Sequence, residues 1–398
     1  MRSVSIAQLK HYYKWRHKMD WLLAPIHTRS DLKRYLKEHA KSGSPLDALP
    51  PDARNRVLSE VQFGPHGPFI ANFGDLQYLS TQQAYKILAL FGEQSRALEF
   101  TGGKIRPASP RAAPGSVRPS LISNHFDEFD RTCRPGDDET GSQRRKCVVR
   151  AYDRLFASLQ NEAFVQKVGS HDLRLMFRAA ARVAVFTFNP RYAQDAELDF
   201  SEMETRHFAG PPDYSKMYEV LVHTRQFAAA HKFYEVHPDA DLTPFPHYRD
   251  EAGKIGRGTP TILAVSTTKD ELIRRRVNLR KPAQVLILTD PYCHFCTDFD
   301  RSLKSLPKLR AALAHHTFWV TPPGSELEFD TLQQWNKTHP GMRLSIMYSL
   351  QGWPMVKTLA VPQFFFLQSG KLKAHEMGWD KDSLSQIESG LKTIGLWK

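Results

Sequence analysis

Cysteine is scarce in this chain: four in 398 residues, at positions 133, 147, 293 and 296. That scarcity excludes a small disulfide-stapled scaffold, which is dense in cysteine. No stretch reaches the roughly 18 apolar residues that a membrane-spanning helix needs, so no transmembrane segment is expected. The first 27 residues hold Lys10, Lys14, Arg16, His17, Lys18 and Asp20, which interrupt the apolar run a secretory leader requires. No export address is expected from the chain as written. The chain is expected in the cytoplasm, or in the periplasm if an upstream signal or another export route exists. Also missing are a Gly-rich phosphate loop, a serine-nucleophile elbow and a zinc-protease helix motif. Nucleotide-driven chemistry, serine hydrolysis and zinc proteolysis therefore have no carrier in the sequence.

Acidic residues are outnumbered: 55 Lys and Arg against 42 Asp and Glu give a formal charge of +13. Such a surplus can favour nucleic acid, anionic lipid or acidic proteins. Here the basic residues are scattered, and the densest runs are short: Arg274-Arg275-Arg276 and Arg144-Arg145-Lys146. Neither zinc-finger spacing nor an RNA-binding aromatic signature accompanies them. A solvated basic surface is expected, with no nucleic-acid partner. A hydrophobic share of 41% with 24% charged residues suits globular domains with proper cores, and the length allows two or three of them.

The hydrophobic period divides the chain. The N-terminal two-thirds read as mainly α-helical, and the C-terminal third as α/β. Residues 1–101 form a small helical domain, with Leu32, Leu36 and His39 following one face and Tyr35 beside them. In STQQAYKILALFG, Ser80 caps a helix, Gln83 takes the reciprocal position, and Ala84, Ile87, Leu88 and Phe91 form its buried stripe. Gly92 is its stop, and the preceding FGPHGPFIANFGD is expected to be loop. Residues 102–120 are dominated by Gly, Pro and Ser and read as a linker. Residues 121–255 return to helical spacing, at Tyr152, Leu155, Phe156 and Leu159 and again at Leu173, Met176, Phe177 and Ala180. MYEVLVHTRQFAAAHKFYEVHP reads as helix, turn, helix; a single such hairpin belongs to an ordinary helical domain unless the period repeats.

From about residue 256 to 398 the pattern changes. PTILAVS reads as a strand, TKDELIRRRVNL as a helix, and AQVLILTD as a buried strand. Strands alternating with helices imply a parallel or mixed sheet. Directly after the apolar strand comes Cys293-His294-Phe295-Cys296, through Asp290-Pro291-Tyr292. A helical run then follows: Phe299, Leu303, Leu306, Leu309, Leu313. This order puts Cys293 at a helix N-terminus, where free N–H groups and the macrodipole favour an anion. A thiolate is the nucleophile of disulfide exchange, and a second thiol two residues on can resolve the mixed disulfide. The pair needs no cofactor.

The segment LTDPYCHFCTDFDRSL resembles the active-site segment of the thioredoxin superfamily, closest to the bacterial periplasmic disulfide isomerases and oxidases. VPQFFFLQSGKLKAHEMGW is similar to that superfamily's cis-proline segment. The resemblance covers roughly residues 260–398. It implies a thioredoxin-like fold with Cys293 and Cys296 catalytic and Pro362 cis, 69 residues after Cys293. It also implies a substrate groove shaped by Val361, Pro362, Tyr292, His294 and Phe295, with Gly370-Lys371 as a hairpin tip. A closing helix fits, with Leu384, Ile387, Leu391 and Ile394 on one face and Asp382 as cap. The interval HHTFWVTP, SELEFDTLQQWNK and LSIMYSLQGW reads as strand, helix and strand, an enlarged middle. Ile287 stands where thioredoxins proper carry a buried acid, which moves the expectation away from a general reductase. His294, as imidazolium, would stabilise the neighbouring thiolate; it reads equally as an exposed histidine of little influence.

The expected function is thiol–disulfide oxidoreduction on protein thiols and disulfides, or with a redox partner protein. The alternative is a helical interaction protein carrying a thioredoxin-fold binding or redox-sensing module. C-x-x-C can also be half of a four-cysteine zinc site. Cys133 and Cys147 are too far apart for the second knuckle, so no metal is expected. Those two flank the polar loop RPGDDETGSQRRK, where a bridge would close a loop of about 15 residues, a gain of roughly 3 kcal/mol in the chain-entropy view. They read as a structural disulfide or as two free thiols.

Overall fold

The computed structural model describes residues 24–40, 43–64, 67–70, 74–94, 96–97, 120–132, 141–256, 258–380 and 383–397. The expected linker at 102–120 lies outside them except for Ser120, and so does Cys133. Helices fill the N-terminal part, and a mixed eight-stranded sheet organises the C-terminal part. The chain forms two compact units. One takes the described residues of Met1–Thr132, Ala151–Ala181 and Gln194–Met217. The other takes those of Cys133–Arg150, Arg182–Ala193 and Tyr218–Lys398.

In the first unit, α1 (Arg29–Glu38), α2 (Pro51–Ser59) and α3 (Thr81–Ala89) pack around Ile26, Leu46, Val57, Ile87 and Phe91. Ser80 and Gln83 make the reciprocal cap that the sequence predicts, and Gly92 takes a positive φ of 73° just past the helix. On α1 the buried residue is Tyr35, while Leu36 is exposed. The expectation of loop at FGPHGPFIANFGD is corrected. Val61–Gly64 (β1) and Gly67–Ile70 (β2) pair as an antiparallel hairpin, Val61 opposite Ile70. Both of those side chains enter the core, and the Ile70 N–H is taken up by the buried Glu93 carboxylate at 3.1 Å. Glycine and proline near the tip mark the turn and masked the strands on either side of it. The helices α4 (Leu121–Thr132), α5 (Gly141–Leu155), α6 (Glu162–Val165) and α7 (Ser170–Thr187) follow. Arg56 of α2 bonds Asp52, Asp75 and Asp127, and Arg178 of α7 also bonds Asp75. That shared charge network fixes the helices' relative positions, because each member would be stranded without the others.

After α8 (Pro190–Thr205), the expected helical hairpin is present as α9 (Pro211–His223) and α10 (Phe227–Val236). The sheet of the second unit contains β3 (His247–Asp250), β4 (Thr261–Val265), β5 (Glu271–Arg276), β6 (Gln284–Leu288), β7 (Thr317–Thr321), β8 (Leu344–Met347), β9 (Gln363–Gln368) and β10 (Lys371–Met377). Its spatial order is β10-β9-β6-β7-β8-β4-β5-β3. β6, β7 and β8 run parallel, β9 and β10 are antiparallel, and β4 pairs antiparallel with both β8 and β5. Among the described residues, this unit's later half holds α11 (His294–Leu303), α12 (Pro307–Leu313) and α13 (Phe329–Thr338). The last helix is α14 (Ser383–Thr393).

TKDELIRRRVNL, expected as helix, is strand β5. Thr261–Val265 folds back on it as a hairpin, Val265 opposite Leu272, and β3 adds in parallel on its other side. The charged tail that resembles a helix face is instead satisfied across strands. Arg274 bonds Asp250, Arg275 bonds Glu251, and the Arg274 guanidinium lies 3.9 Å over the Tyr348 ring. The longest arginine run is thus engaged within the chain. The single apolar run after the C-x-x-C motif also divides, because Pro307 opens a new helix at its first turn.

β6 is buried at every position, which explains its unbroken apolar sequence. On one face Leu286 and Leu288 join Trp353, Val320 and Phe365. On the other, Phe299 of α11 meets Phe364 edge to face at 4.9 Å. Ile287 is fully buried between Trp319 and Phe364 in register. The β9–β10 tip is Ser369-Gly370, one residue earlier than the sequence suggests. Both residues have positive φ, 49° and 82°, the backbone of a type I′ turn. At α14, Asp382 lies outside the described residues, and Asp380 makes reciprocal bonds with Ser383. Gly390 of this helix lies so close to Phe366 that a Cβ there would fall 2.3 Å from the ring. Gly390→Ala is expected to cost about 1–3 kcal/mol, despite alanine's better helix propensity, and urea denaturation would read it.

Candidate functional site

The site grows from the C-terminal end of β6. Thr289 continues the ladder by donating to Val320 O at 2.9 Å. The Asp290 carboxylate then accepts from the Tyr292 N–H at 2.8 Å, and the Asp290 carbonyl accepts from the Cys293 N–H at 3.1 Å. This tight turn sets Cys293 as the N-cap of α11. Its backbone is extended, and its sulfur accepts from the Cys296 N–H at 3.4 Å. Cys293 is half-buried and Cys296 buried. The two thiols are chemically unequal. Burial, with the neighbouring Cys293 adding to it, pushes the Cys296 thiol up to about 12. Cys296 therefore stays protonated at neutral pH, while Cys293 faces the orphan N–H groups of the helix end.

Opposite Cys293 stands the segment before β9. Cys293 Sγ is 3.5 Å from Val361 O, and the Val361–Pro362 bond is cis. The Pro362 carbonyl accepts from the Gly378 N–H at 2.9 Å, which holds the end of β10 beside it. Gln363, fully buried, donates through Nε2 to the carbonyls of Thr358 (3.1 Å) and Ala360, while its Oε1 faces His375 Nε2 at 3.1 Å. Because two carbonyls fix the amide orientation, His375 must carry its hydrogen on Nε2. The ring stacks on Phe365 at 4.5 Å, and burial lowers its pKa. The chain from His375 through Gln363 thereby pins the loop that presents Val361.

Of the residues singled out from sequence, Cys293, Cys296, Val361 and Pro362 converge. Tyr292, His294 and Phe295 stand exposed beside them, with the Phe295 and His294 rings tilted against each other at 3.8 Å and the Tyr292 hydroxyl 2.7 Å from Thr331 Oγ1. Met377, exposed and paired in register with Gln363, adds an apolar side chain at the Pro362 side. Cys147 is disulfide-bonded; Cys133 lies outside the described residues.

Three residues escape sequence reasoning. Gln363 carries no pattern that marks it, and Thr331 looks like any polar helix residue. Glu328 reads as one acid of a solvated helix. In the fold, burial together with the nearby charges of Asp290 and Glu326 pushes the Glu328 carboxyl up to about 7. A carboxyl raised in the folded state is bound to its proton more tightly there than in the unfolded chain. Its contribution is complete below the ordinary value of 4.5 and is lost as pH rises through 7. Glu328→Gln is therefore expected to gain on the wild type between pH 5 and pH 8. The gain is on the order of 1–2 kcal/mol, less than full linkage because the carboxyl is only half-buried. Paired urea titrations at the two pH values measure it, and an unchanged gap would refute it.

Comparison with known proteins returns no match: no family model, no curated protein and no solved structure is similar to this chain. No helix among the described residues is long and apolar enough to cross a membrane.

Proposed function

We propose that this protein is a thiol–disulfide oxidoreductase whose C-terminal part is thioredoxin-like and whose reactive pair is Cys293 and Cys296. One observation carries the reading: the Cys293 sulfur sits at a helix N-terminus, half-exposed, 3.5 Å from the Val361 carbonyl. A backbone carbonyl next to a reactive sulfur is what an extended substrate needs for docking, since main-chain hydrogen bonds align the scissile disulfide. The exposed apolar side chains of Tyr292, Phe295 and Met377 suit an unfolded peptide stretch, a protein thiol or disulfide rather than a small polar one.

The chemistry balances without a cofactor. Cys293 thiolate attacks one sulfur of a substrate disulfide, forming a Cys293–substrate disulfide and releasing the other substrate sulfur as thiolate, which takes up a proton. Cys296 then loses its proton and attacks Cys293 Sγ. The Cys293–Cys296 disulfide forms, and the second substrate thiolate leaves. The same steps in reverse oxidise a dithiol. The raised pKa of Cys296 keeps it from competing as the first nucleophile.

The test is exchange activity in glutathione redox buffers of graded potential, with a disulfide-bonded protein as substrate. A single two-electron transition of the pair together with turnover is expected. A pair that titrates without turnover would leave the alternative, a helical interaction protein with a redox-sensing module.

A further inference from the structure

The second unit holds a cavity that the thiol chemistry does not use. The C-terminal half of α11, helix α12, Trp319 of β7 and residues 339–342 line a half-open cleft of about 420 Å³. This lies within the range of small-molecule sites. Leu303, Leu313, Trp319 and Met342 supply an apolar lining. At liquid density the space corresponds to about a dozen waters, room for a molecule of about ten to fifteen non-hydrogen atoms.

The charges around this lining are unequal. Asp300 is the one acid among the lining residues, and it is engaged by His339, whose Nε2 lies 3.5 Å from its carboxylate. His339 is itself held in place by stacking on Trp335 at 4.1 Å. Lys304 and Arg310 also line the cavity and are exposed. Among the described residues neither side chain has a hydrogen-bond or ion-pair partner. An apolar cleft with two uncommitted, exposed cations in its lining is complementary to an amphipathic anion, with the apolar body against the lining and the charge on those two side chains. Lys304 offers a point charge and Arg310 a planar fork matched to a carboxylate.

We infer that this cavity is a binding site for a small amphipathic carboxylate, an aliphatic or aromatic acid of about ten carbons. The site is independent of the reactive cysteines.

Titration calorimetry on the full chain with decanoate, decanol and decyltrimethylammonium tests it. One decanoate per chain is expected, at least tenfold tighter than decanol, with the cation weakest. The decanoate preference should shrink with added salt. Two variants locate the site. Lys304→Ala with Arg310→Ala should reduce decanoate to the affinity of decanol. Ala314→Trp, at an exposed lining residue, should fill the cavity and abolish binding of both while the thermal transition stays unchanged. Cys293→Ser should bind as the wild type does. Equal binding of decanoate and decanol, or decanoate affinity that survives both lining variants, would overturn the inference.

Discussion

Cys296→Ser is expected to accumulate disulfide-linked adducts through Cys293, whereas Cys293→Ser forms none and loses exchange activity to background, a loss on the order of 10³-fold or more. The asymmetry follows from geometry. Cys293 is half-exposed at the N-terminus of α11, and Cys296 is buried one turn in with its thiol pushed up to about 12. A serine at 296 leaves the attacking sulfur and its helix end intact and removes only the group that releases the adduct. Non-reducing electrophoresis followed by mass spectrometry of the adducts reads the result. Equal trapping by both variants would mean that either sulfur can attack, contrary to the burial difference. Absence of adducts from Cys296→Ser, in a folded variant and in the presence of disulfide substrate, would sink the oxidoreductase reading.

The sulfur pair was legible because its signals are local. An apolar strand, a turn with Asp and Pro, a C-x-x-C and a helical stripe occur in direct succession, so chain connectivity alone places Cys293 at a helix N-terminus. Pro362 was legible through the strand–turn–strand that follows it. What supports Val361 was not. Gln363 sits in a run that reads only as buried strand, and its role depends on the carbonyls of a loop folding back to it. Glu328 escaped for a related reason: its raised pKa comes from burial and from Asp290, 38 residues away in the chain. The two misread elements share a cause as well. β5 and the β1–β2 hairpin are short strands whose exposed or punctuated residues carry the wrong local preference, and pairing partners decide their state. In ELIRRR, three arginines resemble a helix face until Asp250 and Glu251 of the neighbouring segment are in place.

Arg225→Met is expected to be the most damaging single change in the second unit, at about 3–5 kcal/mol. Arg225 lies in the turn between α9 and α10 with φ of 66°, a left-handed conformation that costs a residue with a side chain about 1 kcal/mol. The backbone there would favour glycine. The side chain outweighs this by bonding two backbone carbonyls and pairing with one buried carboxylate. Its Nε donates to Tyr348 O at 2.6 Å and one Nη to Met347 O at 3.2 Å, at the end of β8. The other Nη stands 2.5 Å from Glu326, a fully buried carboxylate. Removing the guanidinium leaves that buried carboxylate with the Gly324 N–H at 3.0 Å and takes a donor from two part-buried carbonyls, and the cost of an unpaired buried charge exceeds the net worth of the pair. Glu326→Gln removes the charge but keeps a hydrogen-bonding group, and should cost less than Arg225→Met. The double variant should recover part of the loss, because no ion is then left alone; the carbonyls of Met347 and Tyr348 prevent full recovery. A double-mutant cycle by urea denaturation gives the coupling directly. A loss below about 1 kcal/mol for Arg225→Met, the range of exposed pairs, would show that Glu326 finds water or another partner when the arginine is gone.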